Sequence, residues 1–404
     1  MKVLLINNFF YRKGGSESVF FNTGRLLESK GHQVIWYAFA DEKNQKCGQS
    51  DYFPERSKGR FRQMVDYFYN RTAARNLDRL LKAEKPDIAH IHLIWGGMTP
   101  SVLRVLRRNG VPVVHTVHDY RMVCPAYMFR NAQCEICEKC SSFRYLSCIS
   151  GRCSKGSLVN SILMTIEMYC RQLFNNPLKL IDGFVFVSRF CRDVHIRHDS
   201  GFSKARSMVL YNSTVRMEGI DSHRGKYFLY YGRLSYEKGV EDVIRAFSLN
   251  DAPAIKIVGT GPLEEPLKQM ASSHGNIEFV GYKSGMELFE LLAGCSYAIV
   301  PSRWYENNPM TIVEAYAYGK PVIGAEIGGI TEILKGTGCG WTYTSGDIDA
   351  LAARISEAAA LPDNKYDEMC SFARAFYDGH FSEQGHYEKL VSYYEDIIAS
   401  HSRQ

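Results

Sequence analysis

Short apolar runs recur along this chain, each followed by a stretch with helical spacing, and the series is run through twice. In the first series residues 3–6, 33–37, 88–92, 112–117 and 183–187 read as strands, with helical periodicity over 18–30 and 101–109. In the second, strands at 227–231, 255–258, 277–280, 297–300 and 321–324 alternate with helices at 240–248, 263–272, 286–292, 311–318 and 348–360. Strands that are apolar throughout, rather than at every other residue, are buried on both faces, which is the property of parallel sheets covered by helices. Two such series imply an α/β chain of two Rossmann-like, doubly wound domains. The length of 404 residues fits two domains of roughly 150–200 residues each. Polar stretches at 211–214 and 221–226 place the boundary near 206–225. The reading is an N-terminal domain over 1–205, a C-terminal domain over 206–380, and a final helix in 381–404 that packs back toward the first domain.

The formal net charge of +6 is mild. It suits an anionic small ligand or an acidic membrane surface and does not call for nucleic acid. The N-terminus, Met1-Lys2-Val3-Leu4-Leu5-Ile6, has too short an apolar run for a signal peptide. No run approaches the roughly 18 apolar residues of a membrane span. The expected location is the cytoplasm. In residues 55–75, Arg56, Lys58, Arg60, Arg62, Arg71 and Arg75 are interleaved with Phe61, Tyr67, Phe68 and Tyr69. Such a mixture suits either a solvated helix with its aromatics inward or contact with the inner membrane surface.

The residues that carry chemistry cluster where strands end. Ser302-Arg303-Trp304-Tyr305-Glu306-Asn307-Asn308-Pro309-Met310-Thr311-Ile312-Val313-Glu314 follows one predicted strand and opens a helix. Carboxyl ends of parallel strands are where doubly wound folds bind ligands, and free amides at a helix start hold phosphate oxygens. Glu306 and Glu314 can face one ligand, and carboxylates suit paired hydroxyls. Gly232-Arg233-Leu234-Ser235-Tyr236-Glu237-Lys238-Gly239 leaves another strand and offers two fixed cations, Arg233 and Lys238, for a diphosphate. Gly259-Thr260-Gly261-Pro262 lacks the third glycine of a dinucleotide fingerprint. In the N-terminal half, Gly14-Gly15-Ser16-Glu17 lets the backbone approach a ligand and offers a helix cap. His115-Thr116-Val117-His118-Asp119 ends a strand, where a neutral imidazole can bond a sugar hydroxyl. His90 and His92 lie on a strand and read as structural.

Glu306 and Glu314, seven residues apart and followed by Ala315-Tyr316-Ala317-Tyr318-Gly319-Lys320-Pro321, resemble the paired-glutamate signature of retaining glycosyltransferases of family 4. Gly328-Gly329-Ile330-Thr331-Glu332 resembles that family too. The resemblance implies a GT-B fold, two Rossmann-like domains facing each other across a cleft. The first domain would be on the acceptor side and the second would bind the nucleotide sugar. It implies donor contacts from Gly15, Arg233, Lys238, Gly261, Tyr282, Glu306, Asn307, Asn308, Pro309, Met310, Thr311 and Glu314. Gly14, Gly15, Glu17 and Asp119 would lie toward the acceptor, and His118 would touch the donor sugar. The implied partners are a UDP- or GDP-type sugar donor and a glycan or polyprenyl-diphosphate-linked acceptor, as in surface polysaccharide synthesis. Arg233, Lys238 and helix-start amides would stabilise the departing diphosphate, so catalysis requires no cofactor. A nucleotide-sugar epimerase and a non-catalytic nucleotide-sugar-binding protein are the competing readings on the same fold.

Six of the 12 cysteines fall in a Cys-rich insertion over 124–153. Cys134 and Cys137 have zinc-knuckle spacing, and four thiolates close a structural zinc site. Cys124, Cys134, Cys137 and Cys153 are the chosen ligands, with free thiols and disulfides or an iron–sulfur group as the alternatives.

Overall fold

The computed structural model describes residues 1–249 and 252–401. They form two compact units: Met1–Leu210 together with the chain from Tyr387 onward, and Tyr211–His386.

In the first unit β1 (Lys2–Ile6), β2 (Gln33–Tyr37), β3 (Ile88–Ile91), β4 (Val113–Val117), β5 (Gly183–Phe186) and β6 (Ser207–Val209) make one sheet in the order β2-β1-β3-β4-β5-β6. Every pairing is parallel. Val3, Leu4, Leu5 and Ile6 have no exposed surface, as residues of a strand covered on both faces should. The chain passes from β1 to β2 on one side, then returns to β3 on the other. That reversal opens a crevice beyond the carboxyl ends of β1 and β3, and β4 ends alongside.

In the second unit β7 (Tyr227–Tyr231), β8 (Ala254–Val258), β9 (Ile277–Gly281), β10 (Ala298–Val300), β11 (Val322–Ala325) and β12 (Gly340–Tyr343) take the order β12-β11-β10-β7-β8-β9. This sheet is also parallel throughout. The chain runs outward through β8 and β9 and comes back to β10 on the far side of β7. The loops after β7 and β10 therefore leave neighbouring strands in diverging directions, which makes their carboxyl ends the ligand crevice of this unit.

The sequence reading placed no strand at β6 or β12, which are short edge strands, only half-buried over most of their length. It also placed no helix at Leu158–Phe174, Arg189–His198 or Asp363–His380, while the helix offered as one reading of residues 55–75 is found as Arg60–Phe68 followed by Arg71–Glu84. The last helix, Glu383–His401, joins the first unit from Tyr387 on. There Tyr394 is fully buried with its hydroxyl 2.5 Å from His90 Nδ1. The Tyr393 hydroxyl donates to the Arg206 carbonyl at 3.1 Å. His90 Nε2 meets Thr116 Oγ1 at 2.6 Å, so both ring nitrogens are committed within the core. Replacing the buried ring in Tyr394→Ala should therefore destabilise the protein by about 3 kcal/mol. Chemical denaturation should show this as a lower midpoint, and an unchanged midpoint would place that helix outside the folded core.

Candidate active site

The second unit gathers its candidate residues at the β7–β10 crevice. Gly239, just after Lys238, has φ +67, and a Cβ there would overlap the Pro301 carbonyl oxygen at the end of β10. Glycine is thus required for the two loops to meet. They are then tied twice. Lys238 Nζ lies 2.6 Å from Glu306 Oε1. Arg303 grips the fully buried Asp242 with both arms of its guanidinium, Nε at 2.7 Å from Oδ2 and Nη2 against Oδ1. Asp242 lies in the helix after the β7 loop, and Arg303 lies in the β10 loop. Arg303 N also donates to the Glu237 carbonyl at 2.9 Å.

Glu306 is 7% exposed. Its Oε1 accepts from Lys238, from Ser302 Oγ at 2.9 Å and from Trp304 Nε1 at 2.7 Å. Burial alone would push this carboxyl up. The Lys238 charge and the three hydrogen bonds outweigh it and hold the carboxyl below the usual glutamate range. Oε2 takes no hydrogen bond among the described residues, so half of an ionised, oriented carboxylate is left for another donor. Arg233 is exposed and forms no ion pair among the described residues.

The rest of this segment divides between ligand-facing and structural positions. Pro309 precedes the helix Met310–Ala317, whose first amides, those of Met310 and Thr311, have no acceptor within the helix. Asn308 Oδ1 is occupied by the Asn212 amide at 2.8 Å, and the Asn307 carbonyl packs on Gly329. Glu314 sits by the Tyr231 phenol, whose hydroxyl donates to the Thr311 carbonyl at 2.8 Å. The two glutamates thus have separate partners. Gly261 lies so close to the Leu234 carbonyl that a Cβ would overlap it, which presses the β8 loop onto the β7 loop. Tyr282, beyond β9 at the sheet edge, is 68% exposed.

In the first unit, Gly14 caps the helix Gly15–Ser29 in extended backbone, and Glu17 is buried in its first turn. Burial raises the Glu17 carboxyl, and Ser16 Oγ donates to its Oε2 at 3.2 Å. Leu93 N bonds Asn7 Oδ1 at 3.0 Å, joining the ends of β1 and β3. His118 Nε2 lies 2.9 Å from His92 Nδ1, and the two rings stack with centroids 5.1 Å apart. Burial lowers His118 to about 3, so it is a neutral imidazole near pH 7. His92, read from sequence as structural, is therefore the residue that orients His118. Burial raises the Asp119 carboxyl, and its Oδ1 accepts from Arg121 N at 2.9 Å.

A model described as Glycosyltransferase Family 4 matches residues 13–214, half of the chain, and one described as Glycosyl transferases group 1 matches residues 217–376. The chain belongs to Glycosyltransferase Family 4. This Family 4 chain is a glycosyltransferase, and its two parallel six-stranded sheets are the GT-B fold. It is 24% identical to a 42.6 kDa protein of the cps region of Klebsiella pneumoniae, over 83% of this chain and 88% of that one. It is 27% identical to the putative colanic acid biosynthesis glycosyltransferase WcaL of Salmonella typhimurium, over 41% of this chain and 44% of WcaL. Among solved structures, Alr3699/HepE of Anabaena in complex with UDP superimposes with a TM-score of 0.66 at 16% identity, covering 98% of this chain and 100% of that one.

Of the four cysteines expected to hold zinc, Cys153 lies within electrostatic reach of Cys124 and Cys137. Cys134 Sγ accepts from Arg130 Nη2 at 2.7 Å. Cys153 also shares a hydrogen bond with Cys148, which raises the Cys153 thiol and lowers Cys148 to about 7. Among the described residues no group of three or more His, Cys, Asp and Glu side chains is disposed to hold a metal ion. The residues the sequence reading missed are Ser302, Trp304, Arg303, Asp242 and His92. The first three lie inside the motif it quoted; Ser302 and Trp304 bond Glu306 within that motif, whereas Arg303 meets Asp242 from 61 positions away. Arg303→Ala would leave Asp242 buried without its counter-charge and should cost about 3 kcal/mol or more. Urea unfolding that matches the wild type would show that the pair does not brace the two loops.

Proposed function

We propose that this glycosyltransferase moves a sugar from a UDP- or GDP-type nucleoside-diphosphate donor to a glycan or polyprenyl-diphosphate-linked acceptor in surface polysaccharide synthesis, with retention at the anomeric carbon. The observation that carries the reading is the half-saturated Glu306. Lys238, Ser302 and Trp304 fix one carboxylate oxygen and leave the other for sugar hydroxyls. The relatives add the chemistry of donor and product: the HepE structure contains UDP, and WcaL is named for colanic acid biosynthesis.

The charge balance gives each residue its task. As the bond from the anomeric carbon to the diphosphate oxygen breaks, positive charge grows on the sugar and negative charge on the leaving group. Arg233 and Lys238, with the amides opening the helix Met310–Ala317, stabilise the diphosphate in place of a metal ion. The acceptor oxygen bonds to the anomeric carbon on the face the diphosphate leaves, and its proton passes to the departing phosphate oxygen. No protein nucleophile enters this scheme. In the first unit, neutral His118 bonds a donor-sugar hydroxyl, while Gly14, Gly15, Glu17 and Asp119 serve the acceptor side.

Glu306→Gln keeps the shape and loses the charge. Arg233→Ala removes an exposed cation without disturbing a packed group. Each should reduce kcat/KM for sugar transfer by about a hundredfold or more, with the thermal unfolding of Arg233→Ala unchanged. Wild-type turnover in either variant would refute the assignment.

A further inference from the structure

The helix Leu158–Phe174 is built inside out. The face turned into the protein carries Ser161, Thr165, Glu167 and Arg171 with one apolar residue, Met168, all buried. The opposite face carries Leu158, Val159, Ile162, Ile166 and Leu173, all exposed, with Val159 at 74% and Leu173 at 76%. At 100° per residue these five positions fall within about one-third of the helix circumference, so they form a single stripe. The buried charges explain half of the inversion. Glu167 pairs with Arg121 at 3.3 Å and Arg171 at 3.2 Å, and Arg171 Nη2 donates to the Arg121 carbonyl at 2.8 Å. The polar face is thus a clamp on the segment after β4 that holds His118 and Asp119. Nothing inside the unit accounts for the apolar stripe.

The helix Arg60–Phe68 packs against this one and has no buried residue of its own. It sends Phe61, Met64 and Val65 outward, Phe61 at 76% exposure. Its Tyr67 hydroxyl meets Arg121 Nη2, so both helices bear on the same arginine. The surroundings are basic. Lys58, Arg60 and Arg62 are exposed at the start of this helix, with Glu55 exposed nearby. From residue 139 to residue 179 the exposed charges are Lys139, Arg144, Arg152, Lys155 and Lys179, and the stretch's one acid, Glu167, is buried. No helix among the described residues is long and apolar enough to cross a membrane.

We propose that this face, the outer stripes of the helices Leu158–Phe174 and Arg60–Phe68 with their basic margin, docks on the surface of an anionic phospholipid bilayer. Apolar side chains enter the boundary between headgroups and acyl chains, and the lysines and arginines pair with lipid phosphates. The charge decides the occupant: an apolar stripe bordered almost wholly by cations complements an acidic lipid surface. Because Tyr67 and Glu167 both hold Arg121, the docked helices would support the segment that carries His118 and Asp119. The inference stands on the exposed stripe and its charge, independently of the donor and acceptor proposed above.

The test is flotation of the full chain with vesicles of phosphatidylcholine containing phosphatidylglycerol, and with phosphatidylcholine alone, at low and high salt. The wild type should float with the anionic vesicles, more weakly at high salt, and not with the neutral ones. Combining Val159→Ser, Ile162→Ser and Leu173→Ser should weaken flotation by about tenfold or more, while thermal unfolding stays as in the wild type, since these side chains are exposed. Combining Arg60→Gln and Arg62→Gln should remove part of the salt-sensitive binding. A wild type that does not bind anionic vesicles, or a triple variant that binds them equally well, overturns the proposal. So does a wild-type dimer that the triple variant dissolves without any vesicle binding, which would make the face a contact between two copies.

Discussion

The second unit depends on holding together two loops that leave adjacent strands in opposite directions. A parallel sheet whose strand order reverses leaves a crevice between β7 and β10, and that crevice must be closed at its base without being filled. The bidentate Arg303–Asp242 pair does the closing, with one carboxylate fully buried and one guanidinium bridging the loops. Lys238 and Glu306 make the second bridge nearer the opening. Removing either partner of a buried pair costs more than the pair contributes, so the brace is resistant to drift. Its chemical consequence is an ionised glutamate with one oxygen saturated and one available. Burial alone would have raised that carboxyl; the bridge, with Trp304 and Ser302, holds it below the usual glutamate range.

The first unit solves a similar problem with different means. The ends of β1 and β3 are joined by Asn7, and the end of β4 by contact between His92 and His118, the latter kept neutral by burial. The segment following His118 is gripped from beneath through Arg121, which Glu167 and Arg171 hold. Placing that buried charge network on one face of the helix Leu158–Phe174 leaves its apolar residues on the other. The exposed stripe therefore sits directly behind the clamp.

Much of this was legible in the sequence. Strands apolar at every position, such as Val3-Leu4-Leu5-Ile6, announce parallel sheets because no alternation survives burial on both faces. Glu306, Lys238 and Arg233 were singled out because strand ends followed by helix starts mark ligand sites. The partnerships were less accessible. Lys238 and Glu306 are 68 positions apart and Asp242 and Arg303 are 61, so no local pattern joins them. His92 looked structural because a strand position says nothing of the ring facing it. The cysteine spacing told nothing of the side chains each thiol meets: Cys134 accepts from Arg130, and Cys153 bonds Cys148. The helix Leu158–Phe174 escaped notice because its polar residues are the ones turned inward.

The central claim is that the cations at the β7–β10 crevice bind the diphosphate of a nucleotide. Thermal unfolding of the full chain with UDP, GDP and ADP, in the wild type and in Arg233→Ala, tests it most directly. A nucleotide present at about 100 times its dissociation constant adds roughly 2.7 kcal/mol of stability. The account predicts a shift with UDP or GDP that is lost or strongly reduced in the variant. An equal shift in both proteins, or none with any nucleotide in the wild type, would contradict it.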